Sequence, residues 1–213
     1  MVSLSARDAY LAFLAAIAIE RVVELAVSRR HERALAARGA IERGRRHYPA
    51  MVLLHAGALA GCAAGALLRP APPPPWALGA AAAVLGAEAL RWWAVATLGE
   101  RWTTRVLVLP DAPPITGGPY RFLRHPNYLA VVVELAALPL AWGLLELALL
   151  ASVANAVVLA IRIRVEERAL GPRWASAFRG RPRFLPSARR SSHVPVRGAG
   201  AVGAAAKGEG ATR

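Results

Sequence analysis

The chain has 213 residues, 56% of them hydrophobic, with 27 Lys and Arg against 13 Asp and Glu and a formal net charge of +14. A basic soluble domain would gather its charge on one face and keep its apolar runs short. Here the apolar residues form long blocks with arginines between them, a membrane composition in which juxtamembrane arginine accounts for the charge better than a nucleic-acid surface does. The one cysteine, Cys62, lies inside a block, so neither a disulfide framework nor a thiolate metal site is available.

Five apolar segments follow in chain order: about Ala9 to Val27, Ala50 to Leu68, Trp76 to Leu98, Tyr128 to Trp142 and Leu144 to Ile161. They predict an all-α integral membrane bundle of about five transmembrane helices. A span needs roughly 20 residues, so the last two are short and tilt or continue into the interface, with Gly143 as their hinge. The first segment has too few basic lead residues, and meets Glu20-Arg21 too soon, to be a cleaved signal peptide. Seven arginines lie between Ser28 and His47, while the connection from Arg69 to Pro75 holds one arginine and four consecutive prolines. Arginines return at 101, 105, 121 and 124 and after Arg162. The positive-inside rule then predicts the N-terminus outside and the C-terminus in the cytoplasm. Residues 187–213, rich in Ala, Gly, Ser and Arg without apolar periodicity, predict a disordered tail. The expected organisation is three N-terminal helices over 1–98, a functional core over 99–186 and that tail.

Gly117 to Tyr128, GGPYRFLRHPNY, is the densest chemical stretch. Pro126 lacks an N–H and suits a first helical turn, so a helix starts there. Arg121, Arg124 and His125 add positive charge where a helix start already favours anions. Each alone has a plainer reading: arginine and tyrosine anchor helices at the interface, and a histidine before a proline caps. A second cluster holds Arg162, Arg164, Glu166 and Glu167. Asn155, Arg162 and Glu166, at steps of seven and four, share a helical face, as a polar cavity wall or as a simple ion pair. Glu134, deep in the fourth segment, is either functional or the partner of an arginine on a neighbouring helix. Arg21 with Glu24, and Glu88 with Arg91, are spaced for intrahelical pairs. Gly57, Gly61 and Gly65 form a small-residue packing stripe. No dinucleotide fingerprint, Ser/His/Asp set or HExxH pattern is present, and His31, His47, His55 and His193 do not group as metal ligands.

Gly118-Pro119-Tyr120, Arg124-His125-Pro126-Asn127-Tyr128 and Glu166-Glu167 with Leu170 resemble the isoprenylcysteine carboxyl methyltransferase family of membrane proteins. Trp174, Phe178 and Arg183-Phe184-Leu185-Pro186 fit its C-terminal segment. The run Leu98 to Thr104 with Val108-Leu109-Pro110 is similar to a bacterial branch associated with type III polyketide synthases, which methylates alkylpyrones or phenolic lipids. Leu170-Gly171 stands where the eukaryotic enzymes carry Phe-Gly.

The resemblance implies an S-adenosyl-L-methionine-dependent methyltransferase acting on a hydroxyl or carboxyl group of a lipophilic small-molecule acceptor. It further implies a bacterial plasma membrane protein in contact with membrane lipid, with its site on the cytoplasmic side. Carried over, it names Tyr120, Arg124, His125, Tyr128, Glu166 and Glu167 as cofactor-binding and no metal. The catalytic candidates are Glu134, as base for a neutral phenol, and Arg162 or Arg121, as the contact to an anionic head. Two other readings stand beside it: an NADPH-dependent sterol-type membrane reductase, since Arg-His-Pro-x-Tyr also occurs there, and a non-catalytic protein that binds anionic lipid.

Overall fold

The computed structural model describes residues 5–69 and 72–184. The expected tail over 187–213, with His193 and the Leu185-Pro186 ending, lies outside the described residues. Five helices dominate: α1 (Ala6–Ala37), α2 (Tyr48–Leu68), α3 (Ala77–Leu98), α4 (Pro126–Leu140) and α5 (Leu145–Ala177). Short 3₁₀ turns precede α2 and α4 and follow α3.

The apolar segments become helices, but two of them run well past the ends expected. α1 does not stop at Val27 but runs ten residues further, through half of the stretch expected as an arginine-rich loop. Arginine favours helix nearly as well as leucine, and loss of apolar periodicity at the membrane edge ends a span without ending a helix. Its start is fixed by a capping box, Ser5 accepting from the Asp8 N–H at 3.2 Å while the Asp8 carboxylate accepts from the Ser5 N–H. α5 likewise passes Ile161 and carries Arg162, Glu166 and Glu167 before a break at Gly171. Gly171 has φ +73°, the left-handed region that glycine enters without a Cβ clash, and Pro172 follows it. The break turns the last stretch back over the bundle.

Between these helices an antiparallel ribbon joins β1 (Ile41–Arg43) to β2 (Val106–Val108), Glu42 standing opposite Leu107. Two three-residue strands are a small addition to an otherwise α-helical architecture. Charge holds the ribbon at its base: Glu42 accepts from Arg45 at 2.7 Å and from Arg105 at 2.9 Å. The Glu42 carboxylate and burial oppose each other at Arg105, and the hydrogen bond wins, so its guanidinium is held above its ordinary pKa.

Three helical stretches are long and apolar enough to cross a membrane: Arg45–Leu68, Ala77–Arg101 and Leu145–Ala177. Pro126–Leu140 is apolar but shorter, and α1 carries Glu20, Arg21 and Glu24 in its middle. Leu53, Leu78, Leu85, Leu149 and Leu150 stand exposed on the outer faces of the apolar helices, as side chains facing lipid would. Inside, Tyr10, Leu14 and Ile17 of α1 pack with Cys62 and Ala66 of α2 and Leu138 of α4. Tyr10 stacks on Trp142 at 5.1 Å and donates its hydroxyl hydrogen to the Leu138 carbonyl, which satisfies the one polar atom it buries. Two glycines of the stripe on α2 face α5, where Gly61 lies against Leu147 and Gly65 against Leu144; Gly57 meets nothing.

Candidate functional site

Pro126 occupies the first turn of α4, as its missing N–H predicts. His125 sits at the N-cap position, yet its ring does not cap the helix. It stacks on Tyr128 at 5.1 Å and tilts against Trp174 at 5.5 Å. Its Nε2 hydrogen-bonds Glu167 at 3.1 Å, and Glu167 also accepts twice from Arg183 at 3.0 and 2.6 Å. Hydrogen bonding to the Glu167 carboxylate holds the Arg183 guanidinium above its ordinary pKa, against the opposing effect of burial.

The segment after Gly171 is sewn onto this loop through its backbone. The Arg124 N–H donates to the Pro182 carbonyl at 2.9 Å, Arg124 Nε to the Arg181 carbonyl at 2.6 Å, and Arg181 in turn to the Tyr120 carbonyl at 2.8 Å. Trp174 and Phe178 thereby close over Tyr120 and Ala94. Burial pushes the Tyr120 phenol well above its ordinary pKa, so it remains protonated.

Arg162 and Glu166 do not pair directly. Arg162 Nε donates to the Tyr128 hydroxyl at 2.7 Å, and that hydroxyl donates to Glu166. The shared face of Asn155, Arg162 and Glu166 thus resolves as a polar wall braced by a tyrosine from α4. Asn155 and Arg162 are buried, at 4% and 5% exposure. The wall borders two cavities. The larger, about 460 Å³, is lined by the loop from Arg101 to Ile115 and by Tyr120, Arg124, His125, Asn127, Tyr128, Arg162, Glu166, Trp174 and Phe178. The smaller, about 220 Å³, lies among all five helices, with Tyr48, Met51, His55, Leu59, Val131, Asn155 and Leu159 in its wall and the Arg21, Glu24 and Arg91 side chains at one side. Trp102, Thr103, Asn127, Tyr128 and Arg162 line both.

Of the residues singled out in the sequence, Tyr120, Arg124, His125, Tyr128, Arg162 and Glu166 come together on the larger cavity. Glu167 stands behind it, holding His125. Arg121 is exposed and lies over the Phe122 ring, and Arg164 is also exposed. Glu134 borders neither cavity. It is 2% exposed and pairs with Arg91 of α3, with Arg21 of α1 at 3.7 Å, which is the neighbouring-helix arginine reading. Arg21 with Glu24 (2.7 Å) and Arg91 with Glu88 (3.4 Å) form the intrahelical pairs, and Arg21–Glu88 (2.7 Å) and Arg91–Glu24 (3.6 Å) tie α1 to α3.

Sequence reasoning gave no role in the site to Arg101, Trp102, Asn127, Tyr48 or Met51. Asn127, between two singled-out residues, was the one within reach; its Oδ1 is buried without a protein partner.

A model of the isoprenylcysteine carboxyl methyltransferase family matches residues 80–172, a span that contains most of both cavity walls. The chain is 38% identical over 157 residues to the uncharacterized protein YpbQ of Bacillus subtilis (strain 168), covering 74% of this chain and 94% of that protein. It is 29% identical over 151 residues to an uncharacterized protein of Haemophilus influenzae Rd, covering 70% and 88%. No solved structure shows a significant match.

Proposed function

The chain belongs to the isoprenylcysteine carboxyl methyltransferase family, and from that premise we propose that it is a membrane methyltransferase using S-adenosyl-L-methionine on a lipophilic acceptor. One observation carries the reading: the larger cavity offers a carboxylate, guanidinium groups and aromatic rings together, next to a smaller and mostly apolar one. S-adenosyl-L-methionine has a zwitterionic amino-acid end and a flat purine, and so calls for both charges and for aromatic surface. Glu166 suits its ammonium, Arg124 its carboxylate, and Tyr120, His125 and Trp174 its rings and hydroxyls. A volume of about 460 Å³ lies within the ordinary range of about 300–1,000 Å³ for small-molecule sites.

When bound, the cofactor supplies an electrophilic methyl group: an acceptor oxygen pair makes the new O–C bond and the C–S pair stays on sulfur, which becomes a neutral thioether. The residues of the chain align the acceptor and keep water out, which is most of what such a transfer needs. The smaller cavity takes the acceptor's head, with Arg162 beside it at the partition. The apolar tail lies among Leu59, Val131 and Leu159. In this reading the clusters face the cytoplasm, in keeping with the arginine-rich connections, and the acceptor is an alkylpyrone or phenolic lipid, as in the bacterial branch named above.

Detergent-purified protein with methyl-labelled S-adenosyl-L-methionine, offered an alkylpyrone, an alkylresorcinol and a farnesylated cysteine in parallel, tests this. Label should enter the lipid extract of one acceptor. Neither cofactor binding nor label in any extract would refute the assignment.

A further inference from the structure

Methyl transfer to a neutral hydroxyl replaces an O–H bond by an O–C bond, so one proton must leave the site for each turnover. We propose that this chain carries that proton through Tyr128 to Glu166, and that its acceptor is a neutral phenol and not an already ionised pyrone enol or carboxylate. The inference rests on the methyltransferase reading and specifies its acceptor.

The partition between the two cavities is a hydrogen-bonded chain. Tyr128 borders both cavities, Arg162 borders both, and Glu166 borders only the larger. A phenolic oxygen has one hydrogen to give and two lone pairs. Here the hydrogen goes to Glu166 and one pair receives Arg162 Nε at 2.7 Å. The second pair has no protein donor among the described residues, and it is where an acceptor O–H in the smaller cavity can bond. As the acceptor oxygen forms its bond to carbon, its proton passes to Tyr128 Oη and the Tyr128 proton passes to Glu166. Tyr128 ends as it began, neutral, and Glu166 holds the proton. The Glu166 side chain is 25% exposed, so it can return that proton to water. Arg162 is placed to stabilise negative charge growing on the acceptor oxygen. Two other carboxylates stand near: Glu134 is paired with Arg91 and borders neither cavity, and Glu24 lines the smaller cavity but is held by Arg21 at 2.7 Å. A carboxylate acceptor is ionised at neutral pH, brings no proton, and leaves the relay without work.

The charged and titratable groups around the relay come from every element packed on it. They are His125 at the start of α4, whose Nδ1 is 4.0 Å from Glu166 and whose Nε2 is held by Glu167, Arg162 on α5, Tyr120 in the turn before α4, His47, Tyr48 and His55 on α2 and the turn before it, and, in the wall of the smaller cavity, Arg21 and Glu24 of α1 and Arg91 of α3.

The full-length protein in detergent is compared with Tyr128→Phe and Glu166→Gln on three probes: a long-chain 4-alkylphenol, its ring-nitrated counterpart, and a farnesylated cysteine carboxylate. Cofactor affinity is measured separately by equilibrium dialysis, and rates are taken at saturating cofactor. Binding of the nitrated probe to cofactor-free wild type should raise its coloured phenolate fraction relative to detergent alone, and Glu166→Gln should abolish that rise. Alkylphenol methylation by Glu166→Gln should fall about 10²-fold at pH 7, a loss typical of a removed base. It should recover about tenfold per pH unit toward the phenol's own pKa near 10, while the nitrated probe loses little. Equal losses on both phenols without alkaline recovery, an unchanged phenolate fraction, or methylation of the carboxylate probe alone would overturn the relay. So would loss of cofactor binding in Glu166→Gln as its sole defect. Wild-type protein that fails to bind cofactor at all would instead remove the methyltransferase reading beneath it.

Discussion

His125 is held from three sides, by the Tyr128 ring, by Trp174 and by Glu167. An aromatic stack is worth about 0.5–1.5 kcal/mol and a hydrogen bond to a charged group about 1.5–3, so its removal frees both Tyr128 and Glu167. His125→Ala should therefore weaken S-adenosyl-L-methionine binding by at least about tenfold. Glu167→Gln, which keeps one acceptor oxygen for the His125–Arg183 pair, should weaken it by only a few-fold. Equilibrium dialysis with labelled cofactor gives the order, and a larger loss in Glu167→Gln would show that this carboxylate touches the ligand itself. The two glutamates also show what a sequence conceals at this scale. Successive residues on a helix point about 100° apart, so Glu166 faces the cavity while Glu167 faces His125 and Arg183. The family resemblance named both as cofactor-binding. Only the direction of α5 relative to α4 tells them apart.

At the scale of elements, apolar blocks reveal where helices cross an apolar layer, because burial and lipid demand the same side chains. They are silent about what continues beyond it. α1 and α5 outrun their apolar segments on arginine-rich and glutamate-rich turns, and the β1–β2 ribbon is too short to show a period of two. The packing stripe on α2 was legible as a stripe, but not which of its glycines meets a neighbour. Gly65 lies where an added Cβ would come within 2.5 Å of Leu144, whereas Gly57 has open space beside it. Gly57→Ala should be neutral or should stabilise by about 0.5–1 kcal/mol, since alanine loses less entropy in a helix. Gly65→Ala must push Leu144 aside, and overpacking of this kind costs about 1–3 kcal/mol. Thermal unfolding in one detergent should place Gly65→Ala below the wild type and Gly57→Ala at or above it. A Gly65→Ala protein as stable as Gly57→Ala would mean that α2 and α5 are not in contact there.

Across the whole molecule, α1, α3 and α4 are joined by four carboxylates, Glu20, Glu24, Glu88 and Glu134, around Arg21 and Arg91. Charges this deep in a bundle are costly unless paired, and such groups default to a functional reading when met in a sequence. Here geometry supplies the structural one. The Arg91 and Glu134 side chains are 4% and 3% exposed and are bonded to each other. Arg91 also borders the smaller cavity, so stability, not turnover, is the clean measurement. Arg91→Met leaves Glu134 buried without its main counter-charge, and breaking a buried pair in this way costs about 3–5 kcal/mol. Adding Glu134→Leu removes one charge of each sign and leaves Arg21 to Glu20, Glu24 and Glu88. That double variant should regain most of the lost stability, because a buried pair replaced by apolar side chains of similar size is often neutral. Unfolding by increasing detergent denaturant reads both proteins directly. If the double variant were instead as unstable as the two single losses added together, the two side chains would not be each other's partners, and Glu134 would return as a candidate for chemistry.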